Sequence, residues 1–249
     1  HATILCASMA TEGLKPYYAI YSTFLQRSFD EIVIDICSQN LPVTICIDRA
    51  GISGSDGETH QGVFDLSFLI FIPNLTVAVP KDVNEFKAML KFSAHFGAPL
   101  AIRYPREGKR IFKTQLEIVY GKWEKLKEGS SDFAIIACGE RAVTIALAAS
   151  QSLKEQFIDV SVINARFVKP LDTQMLNELQ EKYLITVEDN MLAGGLGSLI
   201  NSFYSCANKT IKNFAYDDYF IPQGSIDDLM SERGVCSAAI VEYIKNENR

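Results

Sequence analysis

The sequence has no Cys-x-x-Cys pair, no basic excess, no apolar run long enough to cross a bilayer, and no internal repeat or low-complexity tract. Six cysteines (Cys6, Cys37, Cys46, Cys138, Cys206, Cys236) are scattered, with no metal-type spacing to any of the three histidines. That argues against a structural zinc site and fits a reducing compartment. Cys46 and Cys138 lie in apolar runs, where a thiol behaves as a small hydrophobe. A net charge of −6 argues against a sequence-independent nucleic-acid surface, which needs basic residues to neutralise phosphates. No stretch approaches the ~20 apolar residues of a membrane helix, and the start lacks the regions of a signal peptide. A soluble protein of the cytoplasm is expected, or of the plastid if the source is a plant or alga. The opening, HATILCASMATEGLKP, reads as the interior of a helix with no N-cap, so a fragment of something longer is expected.

What is present is alternation. Apolar strand-like runs at 17–22, 43–48, 75–80 and 99–105 are separated by helical patterns. One of these spans 24–39, with Leu25, Phe29, Ile32, Ile36 and Cys37 on one face. Another spans 83–95, opened by Asp82 and Glu85 as N-cap and capping box. The stretch 106–132 is polar and aperiodic and reads as a linker. A second set follows, with strands at 133–139, 159–165, 183–189 and 211–216 and helices at 141–155, 172–182, 195–206, 225–231 and 235–246. Wholly apolar strands alternating with helices predict an α/β fold: two three-layer α/β/α domains with mainly parallel sheets, 1–117 and 118–249.

In such sheets ligands bind beyond the carboxyl ends of the strands. That singles out 22–27, 48–62 and 103–109. The loop IDRAGISGSDGETHQG carries three glycines that allow close backbone approach, a fixed cation in Arg49, and His60, whose proton is mobile near neutral pH. On residue types alone, a solvated surface loop and an acid–base site remain equally open, and the loop's length favours function. In YSTFLQR, Tyr21 and Phe24 can clamp a flat ring or serve as ordinary packing. In RYPRE, Arg103 and Arg106 can form surface pairs or join Arg49 around an anion. DNMLAGGLGSL lacks a full dinucleotide fingerprint and reads as glycine chemistry at a helix start. His95 reads as a surface or packing residue.

Taken in order, KPYYAIYSTFLQRSFDEI, LPVTICIDRAG, DGETHQGVFDLSFL, IRYPR, INARFVKPLD, VEDNMLAGGLGS and YFIPQGS resemble the 1-deoxy-D-xylulose-5-phosphate synthase family of transketolase-type enzymes. The resemblance implies a pyrimidine-binding domain followed by a transketolase C-terminal domain. It also implies condensation of pyruvate with D-glyceraldehyde 3-phosphate and loss of CO2, supplying isoprenoid, thiamine and pyridoxal synthesis. Thiamine diphosphate and Mg2+ are the implied cofactors, and a homodimer the implied assembly, without nucleic-acid or membrane partners. By the same resemblance Tyr21 and Phe24 line the pyrimidine, with Arg27 beside them. His60 is the active-site histidine, Arg49 and Arg106 receive the acceptor's phosphate or the donor's carboxylate, and Asp56 shares their loop.

The family's Glu-Gln pair would directly precede His1, and its metal-binding GDG motif and downstream Asn belong to an N-terminal domain that this sequence does not include. The metal ligands are therefore expected elsewhere, and this polypeptide alone is expected to be inactive. RYPRE replaces the family's RYPRG. Two rivals stand beside this reading: a β-type subunit of a 2-oxo acid dehydrogenase, and a non-catalytic transketolase-like module.

Overall fold

The computed structural model describes residues 1–113 and 117–248. Its first half runs α1 (Ala2–Thr11), β1 (Tyr17–Tyr21), α2 (Ser22–Leu25), α3 (Phe29–Glu31), β2 (Thr44–Asp48), α4 (Asp65–Leu69), β3 (Thr76–Ala78), α5 (Val83–Ser93) and β4 (Leu100–Arg103). The remainder runs β5 (Glu124–Lys127), β6 (Phe133–Cys138), α6 (Glu140–Lys154), β7 (Ser161–Asn164), β8 (Phe167–Lys169) and α7 (Thr173–Glu178). It ends with β9 (Tyr183–Met191), α8 (Leu196–Phe203), β10 (Thr210–Tyr216), α9 (Ile226–Glu232) and α10 (Ser237–Glu247).

Two five-stranded sheets result, ordered β1-β2-β4-β3-β8 and β10-β9-β6-β7-β5. Four strands of each are parallel, and β8 and β5 are antiparallel edges. The α/β expectation holds because β2, β3, β4, β6 and β7 bury nearly every residue, which requires cover on both faces. Register places Tyr21 level with Asp48, and Ile47 level with Arg103, along one carboxyl edge.

Several elements differ from the sequence reading. The run expected as one helix from 24 to 39 begins at Ser22 and passes through a 3₁₀ turn, Gln26–Ser28, before ending in a π-helical segment, Ile32–Cys37. Its stripe is nonetheless buried, with Leu25, Ile32, Ile36 and Cys37 inside and Phe29 packed partly against the core. The earlier start matters, because it puts Phe24 in the first turn, directly beside Tyr21. Asp82 does cap α5, its Oδ1 accepting from Glu85 N at 2.8 Å. Glu85 reaches past the cap, its Oε2 accepting from Lys81 N at 2.6 Å.

The stretch read as a linker contains β5 and the buried Trp123, whose indole N–H donates to Phe167 O at 2.7 Å. Residues 114–116 of that stretch lie outside the described residues. β8 went unread. It leaves the second half of the chain to pair with β3, so the first sheet is completed by residues beyond the linker. A buried charge cluster seals the same seam. Lys81 pairs with Glu85 at 3.3 Å and Glu124 at 2.6 Å, and Arg166 pairs with Glu85 at 2.8 Å and with Glu124. One apolar cluster likewise draws on both halves, from Cys6 and Leu25 through Phe167 to Leu196 and Tyr204.

Candidate active site

Where β2 ends, the chain turns sharply. Arg49 adopts φ 55°, and Asp48 Oδ1 accepts its N–H at 2.7 Å while Oδ2 accepts from Nη1 at 2.6 Å. The guanidinium thereby lies 3.8 Å above the Tyr21 ring. Tyr21 stacks on Phe24 with centroids 5.2 Å apart and planes 13° from parallel. Arg27 stands 5.3 Å over Phe24, and His60 meets the same ring edge-on at 5.6 Å. Tyr21, Phe24, Arg27, Arg49 and His60 thus form one continuous shelf, drawn from the strand-to-helix turn and the glycine loop. Phe24 is 36% exposed, so the shelf keeps an open aromatic face.

The loop carrying His60 is ordered from within. Gly51 and Gly62 exchange backbone hydrogen bonds of 2.7 and 2.8 Å at its neck. Gln61 is buried, and its Oε1 accepts from Ser53 N at 2.7 Å and Gly54 N at 3.2 Å. Its Nε2 donates to Pro222 O at 3.0 Å. Ser53 Oγ donates to His60 O at 2.7 Å, and the Thr59 hydroxyl lies 3.0 Å from His60 Nδ1. Backbone and ring of the histidine are both held, which a solvated surface loop would not require.

Arg106 stands 3.7 Å from Asp56, which ties the third loop to the second. Arg49, Arg106 and Glu107 line a cleft of about 260 Å³ with Ser53, Arg141 and the 224–226 segment. Arg103 is not in it. It is buried against Asp65, with Nε 2.9 Å from both carboxylate oxygens, and Nη2 donates to Gly62 O at 3.2 Å and Asp189 O at 2.7 Å. Of the two readings of Arg103 and Arg106, only Arg106 reaches the cleft, and Arg103 holds the loop's neck. His95 is exposed just beyond α5, far along the chain from these loops.

Residues 1–110 match the family description "Transketolase, pyrimidine binding domain", and residues 121–240 match "Transketolase, C-terminal domain". The chain is built of these two transketolase domains. Relatives named 1-deoxy-D-xylulose-5-phosphate synthase match it almost throughout. That of Clostridium perfringens is 45% identical over 246 residues, 96% of this chain and 40% of that protein. Those of Clostridium tetani and a Geobacillus species are 45% and 42% identical over 98% of the chain, again 40% of each. The chain therefore spans about two fifths of these relatives' length. A split-gene transketolase solved as an inactive β4 tetramer superposes with a TM-score of 0.86 at 26% identity, covering 97% of this chain and 78% of that one. Campylobacter jejuni transketolase superposes at 0.81 with 20% identity over 98% of this chain and 38% of that one, which shows the shared fold.

A transketolase pyrimidine-binding domain implies thiamine diphosphate, and the shelf fits it. A flat heterocycle needs exposed aromatic surface, which Phe24 offers with Tyr21 stacked behind it, and polar groups at its edge. Ser22, next to Tyr21 and buried, has a hydroxyl without a hydrogen-bond partner in the structure. No cluster of three or more His, Cys, Asp or Glu able to hold a metal occurs among the described residues.

Sequence reasoning missed the residues of the second half that hold the loop. Asp189 Oδ1 accepts from Ile52 N at 3.0 Å and from the Tyr216 hydroxyl at 2.7 Å. Its Oδ2 accepts from Arg141 Nη1 at 2.6 Å. Burial, then the Asp189 carboxylate, push Tyr216 well above its ordinary value, so it stays a protonated donor. A partner 137 residues away leaves no local signal in the sequence. DNMLAGGLGSL does open a helix, α8, with Gly195 at its N-cap. Glu188 Oε2 and Oε1 accept from Leu196 N and Gly197 N, each at 2.8 Å, filling the position a bound phosphate would need.

Proposed function

We propose that this chain forms the pyrimidine-binding and C-terminal domains, dividing at residues 117/118, of a 1-deoxy-D-xylulose-5-phosphate synthase. The substrates are pyruvate and D-glyceraldehyde 3-phosphate, joined with loss of CO2. The observation that carries this reading is the shelf running Arg27, Phe24, Tyr21, Arg49, with His60 on its edge and the arginine cleft at its far end. Thiamine diphosphate, once bound, supplies the carbon nucleophile and the electron sink for decarboxylation. Tyr21 and Phe24 hold its pyrimidine by stacking, and Arg27 adds a cation at the outer edge of Phe24. Mg2+ and its ligands belong to a part of the protein beyond this sequence, and the working assembly is a cytoplasmic homodimer.

His60 is the acid–base residue. As the imidazolium, His60 can donate Nδ1–H to the Thr59 hydroxyl and give its Nε2 proton to the aldehyde oxygen as that oxygen gains charge, which leaves the neutral ring. Arg49 and Arg106 orient the acceptor through its phosphate, which turns a bimolecular encounter into a positioned reaction. Asp56 is a loose partner of Arg106, 3.7 Å away. His60→Ala in the complete enzyme should lower kcat by about 10²–10⁴-fold with the melting temperature unchanged. A pyruvate- and aldehyde-dependent CO2 release that survives this substitution undiminished would refute the assignment.

A further inference from the structure

We propose that Arg141, the second residue of α6, is a phosphate-binding guanidinium that determines specificity for the phosphorylated acceptor. This rests on the functional reading above and extends its anion site into the second half of the chain. Arg141 lines the same 260 Å³ cleft as Arg49 and Arg106, but comes from the second half of the chain. Three arginines and one carboxylate residue, Glu107, line this space, and each arginine pairs with an aspartate outside the lining: Asp48, Asp56 and Asp189. Arg49 is bound to Asp48 and half-shielded by Tyr21, while Arg106 is only loosely set, 3.7 Å from Asp56 and half exposed.

Arg141 is better fixed than either of the others. Its Nη1 donates to Ile52 O at 2.7 Å and to Asp189 Oδ2 at 2.6 Å, and its side chain is 18% exposed. Among the described residues, Nη2 and Nε make no hydrogen bond, so two nitrogens with three N–H groups remain for a ligand. The same Asp189 holds the loop of Arg49 and His60 through Ile52 N, so the position of this cation is coupled to that loop. Gly54, at φ +72°, closes the wall. A Cβ there would stand 2.9 Å from Ile226 Cγ1 and 3.1 Å from Gly224 O. A dianionic, tetrahedral group held by donors from both halves of the chain is what such a cleft discriminates, whereas an uncharged hydroxyl gains little from it.

The test uses the complete enzyme with D-glyceraldehyde 3-phosphate and, separately, unphosphorylated D-glyceraldehyde. Arg141→Met should lower kcat/KM for the phosphorylated aldehyde about tenfold or more beyond whatever common loss both aldehydes suffer from loosening the Asp189 anchor, chiefly through KM. Arg141→Lys, which keeps the charge and loses the fork, should fall between. A purely structural anchor would lower activity on both aldehydes in the same ratio, and that result, or no change in KM, overturns the proposal. Titration with inorganic phosphate gives a separate reading. Phosphate binding weakened by Arg141→Met in a protein that condenses neither aldehyde would sink the synthase assignment and leave the phosphate site standing. Equal phosphate affinity in both forms would sink the site.

Discussion

A methyl group at Gly51 would stand 2.0 Å from Asp189 Oδ2, on a backbone at φ +84°. No side chain fits, because this is where the loop of the first sheet meets its anchor from the second. Gly51→Ala should destabilise the protein by about 1–3 kcal/mol and displace Arg49 and His60 together. Denaturant unfolding measures the first effect, and a joint fall in kcat and rise in KM the second. Retained wild-type kinetics would mean the anchor does not set the loop. The glycines and His60 were visible as a motif, and so were the aromatic pair and Arg106. Asp189, Arg141 and Tyr216 were not, because their role depends on which strand ends the fold brings opposite Ile52.

Among elements, the end of β9, where Glu188 meets the start of α8, carries the clearest pH dependence. Burial pushes Glu188 up to about 7 from an ordinary 4.5, although two helix-start N–H groups favour the carboxylate. Between those values the folded protein binds a proton that the unfolded chain has released. Stability from this group is therefore complete below about pH 4.5 and lost as pH rises through about 7. The difference in unfolding free energy between wild type and Glu188→Gln should shrink over that window by up to about 3 kcal/mol. A difference flat across the window would show that Glu188 is ionised throughout. The long parallel strands were legible because wholly apolar runs declare themselves. Strand β5 (Glu-Lys-Leu-Lys) is a partly exposed edge in which three of four residues are charged, so its sequence looks like a linker. Strand β8 is three residues long and too short to show a period. The π-helical segment Ile32–Cys37 keeps the apolar stripe while breaking the regular turn, which composition does not reveal.

At the scale of the molecule, the two halves do not simply abut. β8, Trp123 and the Lys81–Glu85–Glu124–Arg166 cluster knit them together, and the loop from Arg49 to His60 is gripped by residues from both. Removing one partner from such a buried cluster, as in Glu85→Ala, should cost about 3–5 kcal/mol, read by denaturant unfolding. The anion cleft exists only between the halves, whereas the aromatic shelf lies wholly in the first. Because this chain spans 40% of its synthase relatives, we expect it to bind thiamine diphosphate weakly or not at all unless joined to the remainder.

The most direct measurement is calorimetric titration of thiamine diphosphate with Mg2+ into the complete polypeptide, wild type against Phe24→Ala. The shelf predicts a dissociation constant raised about tenfold, the equivalent of about 1.4 kcal/mol lost from one stacking face, with the fold intact. An unchanged dissociation constant would mean that the pyrimidine does not rest on Tyr21 and Phe24, and the proposed active site would have to be abandoned.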